Sequence, residues 1–238
     1  MRIGVFTLVS GKEYYSAVLP GLHTKRKYCK QHSYDYLEVV DHSLSQVAGL
    51  PTSWYKLYFL ADILLGDTHD VIFCSDADVC ITNPAVRIET ILQEHFPHTK
   101  DLLFSRQSVW APYINAGSFF VRNTPWAQRF LRKWFQSGGK YESENRKFWE
   151  QAYINDMYDV YADEEIIKHV QVIRDQRLFN SFHLNWEPGD FLIHFPALSG
   201  ERLKSAMKYG SSFARSQKRI QEQLWFQSAW FQSMGKKE

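Results

Sequence analysis

Val71-Ile72-Phe73-Cys74-Ser75-Asp76-Ala77-Asp78-Val79-Cys80-Ile81 is the stretch whose reading decides the fold. It is apolar and rich in β-branched residues, with Gly66-Asp67-Thr68-His69-Asp70 before it and Asn83-Pro84 after it, which predicts one buried strand. Alternate side chains of an extended segment share a face, so Asp76 and Asp78 are expected to project together while Ala77 turns away. Carboxylates are rarely buried without a partner or a cation, and a hard divalent ion such as Mg²⁺ or Mn²⁺ suits paired oxygen ligands. The competing reading is a turn, in which Ser75-Asp76-Ala77-Asp78 ends the strand and the carboxylates bond nearby amides.

Working upstream, Ile3–Val9 reads as a strand and Ser10-Gly11-Lys12-Glu13 as a polar turn. A helical pattern follows on Tyr14, Tyr15, Val18 and Leu22, which Pro20-Gly21 should interrupt, and Tyr36–Val40 reads as a second strand. Ser53 is the expected N-cap of a helix that ends at Gly66. Strand, helix and strand therefore recur at the spacing of βαβ units, which gives an α/β protein with a mostly parallel central sheet flanked by helices. Ligands of such sheets bind beyond the carboxyl ends of the strands, where Thr7, Asp76 and Asp78 would gather. Ser10-Gly11-Lys12 lacks the spacing of either familiar phosphate loop, so the phosphates of a bound nucleotide would need another counter-charge, such as a metal on Asp76 and Asp78.

Downstream, Val86–Phe96 reads as a helix and Asp101–Ser105 as a strand. Asn115-Ala116-Gly117 reads as a tight turn feeding an aromatic strand, and Pro125 opens an amphipathic helix that ends near Gly138-Gly139. Phe148–Asn155 looks helical, Val170–Ile173 is a short strand, and Gly189–Pro196 is an apolar strand that carries His194. A histidine in that position is either a packed core residue or a metal ligand.

The chain has 238 residues, of which 45% are hydrophobic and 23% charged, enough for one large core. From Glu201 onward eight Lys or Arg face three Glu, while the net charge of the whole chain is +2, so the first 200 residues are mildly acidic and do not suit nucleic acid. Cys29, Cys74 and Cys80 lack Cys-x-x-Cys spacing and fit a reducing compartment. The apolar opening is too short to span a membrane and carries no cleavage site, so a soluble intracellular or cytoplasmic protein is expected.

Several motifs occur together in one order: Trp54-x-Lys56; Ser75-Asp76-Ala77-Asp78-Val79-x-Ile81-x-Asn83-Pro84; Asn115-Ala116-Gly117-x-Phe119-Phe120-x-Arg122-Asn123; Glu150-Gln151; Asn180-Ser181; and Gly189-Asp190-Phe191-x-x-His194-Phe195. This order resembles the retaining glycosyltransferase family of fungal galactosyl- and mannosyltransferases and plant xyloglucan xylosyltransferases, which have the Rossmann-like GT-A fold. The resemblance spans residues 1–205 and leaves 206–238 as a C-terminal helical extension. It implies a glycosyltransferase that uses Mn²⁺ (or Mg²⁺) to move a hexose or pentose from a nucleotide sugar, a UDP-sugar before a GDP-sugar, to a glycan hydroxyl with retention.

The resemblance also implies roles. Asp76, Asp78 and His194 would bind the metal, with Asp76 shared with the ribose; Thr7 and Tyr14 or Tyr15 would hold the base, and Lys56 would face the donor. Asn115, Ala116 and Gly117 would line the donor sugar, Glu150 would hold its hydroxyls, and Gln151 would lie near the anomeric carbon. Lys204 would reach the phosphates, although Ala197 stands where relatives have glycine. The alternative is a nucleotide-sugar hydrolase, or an inactive carbohydrate- or nucleotide-binding protein on the same fold. The apolar and basic residues from Phe213 to Met234 read as a helix that packs on the body, or else meets a membrane surface or a partner domain.

Overall fold

The structure, a computed structural model, describes residues 1–44, 49–107 and 113–214. The elements run β1 (Ile3–Val9), α1 (Lys12–His32), β2 (Asp35–Val40), α2 (Thr52–Leu65), β3 (Val71–Ser75), β4 (Val79–Ile81), α3 (Ile88–His95), β5 (Leu102–Arg106) and β6 (Ile114–Arg122). There follow α4 (Pro125–Gln136), α5 (Gly138–Ser143), α6 (Glu150–Asn155), a π-helical turn (Asp156–Val160), α7 (Glu164–His169), β7 (Val170–Ile173), a 3₁₀ turn (Gln176–Leu178), β8 (Leu192–His194) and α8 (Gly200–Phe213).

Six strands form one sheet in the order β2-β1-β3-β6-β5-β7, in which β6 alone runs against its neighbours. The central strands are buried on both faces, as the unbroken apolar runs require. The two-residue period sorts their side chains. Phe6, Ile72, Cys74 and Phe119 join α2 and α4 in one core, while Val5, Phe73 and Phe120 join α1 and α3 in another. A third core of Val18, Leu22, Cys80, Ile193, Phe195, Leu203 and Met207 lies where α1 and α8 cover a separate two-stranded antiparallel ribbon, β4-β8. The expected mostly parallel sheet flanked by helices is the one observed.

Four local expectations are corrected. The run 71–81 is not one strand: β3 ends at Ser75, Asp76-Ala77-Asp78 form a turn closed by the Val79 N–H to the Asp76 carbonyl at 3.3 Å, and β4 belongs to the ribbon. Helix α1 passes unbroken through Pro20, because Ala17, Val18, Gly21 and Leu22 are all buried there. A Cβ on Gly21 would lie 2.2 Å from Met207 Cε and 2.7 Å from the Val79 carbonyl, so this glycine marks a close crossing rather than a break. Ser53 is not a cap: α2 starts at Thr52 after Pro51, with no side-chain cap bond. Asn115-Ala116-Gly117 lie inside β6 rather than in a turn.

The division at residue 205 falls inside α8, whose Leu203, Ala206 and Met207 are buried in one core with α1. The rest of the expected tail helix, residues 215–234, lies outside the described residues. Among the described residues no helix is long and apolar enough to cross a membrane.

Candidate active site

The chain leaves the six-stranded sheet and enters the ribbon at Asp76-Ala77-Asp78, so the two aspartates sit at the junction of the two sheets. The Asp76 N–H donates to the Gly117 carbonyl at 2.7 Å, which ties the turn to β6, and the Phe195 N–H donates to the Asp78 carbonyl at 3.0 Å, which ties it to the end of β8. Pairing of β4 with β8 sets His194 opposite Val79. Asp76, Asp78 and His194 thereby offer one ligand atom each, all within 4.8 Å of one another. The convergence comes from the turn and the strand pairing, not from the alternation of an extended strand.

A buried amide relay fixes the state of His194. The backbone N–H of Ala116 donates to Gln151 Oε1 at 3.1 Å, and that of Gly117 to Asn115 Oδ1 at 2.9 Å. Backbone donors cannot flip, so Asn115 Nδ2 must be the group that donates to Gln151 Oε1 at 2.9 Å, and Asn180 Nδ2 the group that donates to Asn115 Oδ1 at 2.7 Å. Asn180 Oδ1 is then left to accept from His194 Nδ1, at 2.9 Å. Nε2 faces Asp78 Oδ1 at 3.4 Å in a site where His194 is 3% exposed, and in the neutral ring, whose one proton the relay keeps on Nδ1, the two atoms meet acceptor against acceptor. Such a pair needs a proton or a cation between its members. Two carboxylates and a neutral imidazole held by an outer hydrogen bond fit a divalent ion of the Mn²⁺ type. Gly117 is part of this arrangement, because a Cβ there would lie 2.3 Å from His194 Cε1.

The other side of the turn is saturated. Lys56 Nζ, buried on α2, donates to Asp76 Oδ1 at 2.9 Å, to the Ala116 carbonyl at 2.8 Å and to Glu150 Oε1 at 2.8 Å, which uses all three of its protons. Burial works against the Lys56 charge, but Asp76 and Glu150 outweigh it and pull its pKa up. Lys56 thus holds Asp76 in place and leaves no N–H for a donor. Beneath the turn, fully buried Lys25 on α1 donates to the Asp76 carbonyl. Burial lowers its pKa to about 8, against the pull of Cys80, Asp78 and Asp76. Burial also pushes the Asp76 carboxyl up; Lys56 opposes this and Asp78 adds to it.

An open cleft of about 300 Å³, lined by Leu8, Ser10, Tyr14, Thr52, Ser53, Lys56, Asp76 and Ala77, borders the cluster. Burial, then Asp78 and Asp76, push the Tyr14 hydroxyl well above its usual range. A second cavity of about 430 Å³ shares Tyr14 and is lined by Ser199, Gly200 and Lys204 at the start of α8, where Lys204 pairs with Glu201 at 3.2 Å. Ala197, in place of glycine, has a left-handed φ of 64°. Thr7 is fully buried with its hydroxyl donating to the Ser75 carbonyl at 2.9 Å, and Tyr15 lies with Arg26 and His42. Of the two tyrosines, Tyr14 is the one at the cleft. Gln151 has its oxygen pinned and keeps an Nε2 with no partner among the described residues, whereas Glu150 Oε2 is buried without one. Lys25 and Asn180 had no assigned role in the sequence; Lys25 lies in no motif, and Asn180 stands in the Asn180-Ser181 motif.

Comparison with known proteins bears on the whole arrangement. The model of a family described as "Protein of unknown function, DUF273" matches residues 25–147, just over half of the chain. The chain belongs to this family. It is 28% identical over 131 residues to "Probable glycosyltransferase 3" of Oryza sativa, in both the indica and japonica subspecies, a match covering 52% of this chain and 27% of the rice proteins. The chain thus spans about a quarter of the length of the curated relatives it matches. Among solved structures, a glycosyltransferase involved in glycosylation of the major capsid of PBCV-1 superposes with a TM-score of 0.73 at 15% identity, covering 88% of this chain and 100% of that one. The galactosyltransferase LgtC, crystallised with donor and acceptor sugar analogs, gives 0.57 at 12% identity over 94% and 99% of the two chains. The fold is GT-A, as the motif order implied. These neighbours carry the broad likeness to glycosyltransferases and do not single out the retaining fungal and plant subfamily.

Proposed function

We propose that the protein is a metal-dependent glycosyltransferase that moves a sugar from a nucleotide sugar, with a UDP-sugar as donor, to a glycan hydroxyl with retention. The observation that carries this reading is the His194 Nε2 lone pair facing the Asp78 carboxylate beside Asp76, at the carboxyl end of the parallel strands of a GT-A fold. Lys25 and Lys56 against Asp76, Asp78 and Glu150 leave the junction with a net charge of −1, one positive charge short of neutral, so a divalent ion makes it positive and suited to a diphosphate.

Asp76, Asp78 and His194 would hold the ion, which when bound supplies Lewis acidity to the leaving diphosphate. The chain's own residues do the rest. The 300 Å³ cleft takes the nucleotide, with Tyr14 against it, and Asp76, steadied by Lys56, keeps about a third of its side chain open at the cleft. Gln151 presents Nε2 as a hydrogen-bond donor beside the sugar; with its oxygen held by Asn115 and Ala116, it is not a nucleophile. Glu150 Oε2, buried and unpartnered, accepts from a sugar hydroxyl. The bond from the anomeric carbon to the phosphate oxygen breaks with its electron pair going to phosphate. The acceptor oxygen bonds to the same face of the carbon, and its proton passes to the departing phosphate oxygen.

Incubation with labelled UDP- and GDP-sugars and Mn²⁺, with and without glycan acceptors, tests this. Mn²⁺-dependent transfer is expected. Nucleotide release without transfer to any acceptor would indicate a hydrolase, and neither binding nor turnover of any donor would overturn the enzyme reading.

A further inference from the structure

We infer that Tyr113, Phe148 and Trp149 form an aromatic platform that binds the acceptor as a saccharide, through stacking on the apolar face of a pyranose ring; this rests on the glycosyltransferase reading above. The three rings are 43%, 52% and 55% exposed, unusual for side chains of this size next to a site made otherwise of buried groups. Tyr113 and Phe148 lie together, with ring centroids 5.7 Å apart. The ring of Trp149 and its indole N–H have no partner among the described residues.

The backbone that displays them is held in an uncommon shape. Phe148 and Trp149 have φ of 75° and 49°, consecutive positive values in two bulky residues, and Trp149 has a ψ of −128°. Such backbone is unfavourable for residues that carry a Cβ and persists where the surroundings enforce it. Here the enforcement comes from the active site itself. The Gln151 N–H donates to the Phe148 carbonyl and the Ala152 N–H to the Trp149 carbonyl, both at 3.0 Å. The segment that turns the rings outward is therefore the one that starts α6 and sets Gln151 against Asn115.

Position in the chain makes the platform continuous with the site. Tyr113 directly precedes β6 and stands two residues before Asn115, at most roughly 7 Å of extended chain, about the width of one sugar ring. Trp149 is joined directly to Glu150 and Gln151. Rings that are apolar on the face and polar at the Tyr and Trp edge suit a saccharide, which offers C–H groups on one face and hydroxyls at its rim. A purely apolar partner would leave the tyrosine hydroxyl and the indole N–H without use.

The test separates this proposal from the reading it rests on. Binding of lactose, cellotetraose and a mannotetraose is titrated by calorimetry, apart from any turnover, for the wild type and for Trp149→Ala, Trp149→Phe, Phe148→Ala and Tyr113→Ala, with Tyr161→Ala, an aromatic residue that is more exposed still, as a control. Thermal melting checks that each variant folds. At least one saccharide should bind, with affinity lost roughly ten-fold or more in Trp149→Ala, largely restored in Trp149→Phe and unchanged in Tyr161→Ala. In transfer assays the acceptor KM should rise by a similar factor while the donor KM moves less. Absence of saccharide binding by the wild type, or binding indifferent to all three rings, overturns the platform. Saccharide binding that depends on the rings, together with no turnover of any nucleotide sugar, supports the platform and overturns the transferase reading instead.

Discussion

The two walls that meet at Asp76-Ala77-Asp78 are built on opposite principles. On the side of the six-stranded sheet, Lys56 bonds Asp76, Glu150 and the Ala116 carbonyl at once, so Asp76 already has its cation there, while Glu150 Oε2 stays without a partner. On the ribbon side, the relay through Gln151, Asn115 and Asn180 aims an imidazole lone pair at a carboxylate and leaves the pair unfinished. A site that binds a cation needs both. A wall whose aspartate already has its ammonium holds that aspartate still without competing for the ion, and the uncompensated wall supplies the demand for it.

The largest effect expected of this asymmetry is on the unfinished wall. Asp78→Ala should abolish Mn²⁺-dependent donor binding, read by calorimetry with UDP in the presence and absence of the ion. Unchanged Mn²⁺-dependent affinity would mean that the ribbon wall is not the metal side. The next effect belongs to the Lys56 wall and is one of stability. Lys56→Met leaves buried Glu150 without its counter-charge, and breaking a buried pair in this way costs about 3–5 kcal/mol, a Tm drop of roughly 10 °C. A variant that melts with the wild type would show that the Lys56 network is dispensable.

The difference between the walls also explains what could be read in the sequence. Strands β1, β2, β3 and β7 were legible because each is a short apolar run with polar ends. The break at Ser75 was not, because Val79-Cys80-Ile81 are as apolar as Val71–Cys74; a run buried in two successive sheets looks the same as one buried in a single sheet. Only pairing with β8, more than a hundred residues on, separates them. Asn115-Ala116-Gly117 carry turn propensity, yet β6 keeps them because the Asn115 amide is bonded through both its nitrogen and its oxygen and the absent Gly117 side chain makes room for His194. Asp76, Asp78, Glu150, Gln151 and His194 could be named from motif order. Lys25 could not, since nothing local says that the β3–β4 turn will lie over that face of α1, and Asn180 acts through histidine rather than on a ligand.

That indirect role gives the third prediction. Asn180→Leu removes the acceptor that holds His194 Nδ1–H, and loss of such an outer partner typically costs ten- to a hundred-fold in metal affinity. A Mn²⁺ titration should show that loss with the melting temperature changed far less than in Lys56→Met. Equal metal affinity would mean that the relay does not set the tautomer.

The smallest effect is kinetic and uses the cysteines as reporters, since Cys74 lies in β3 on the Lys56 wall and Cys80 in β4 on the unfinished one. Burial pushes the Cys80 thiol up to about 12, against the pull of Lys25, and pushes Cys74 up as well, against Lys56. An unfolded chain releases these protons from about pH 9, whereas the folded chain keeps them. The stabilisation is therefore complete below pH 9 and is lost as pH rises toward 12. At pH 8 both thiols should resist a thiol reagent until the structure opens. A two-stranded ribbon opens more readily than the middle of a six-stranded sheet, so Cys80 should react faster than Cys74, and Mn²⁺ should slow Cys80 more because the ion would tie Asp78 and His194 of the ribbon to Asp76. Equal rates for the two thiols, with or without the ion, would show that the walls open as one unit, and their difference in charge would then have no counterpart in local stability.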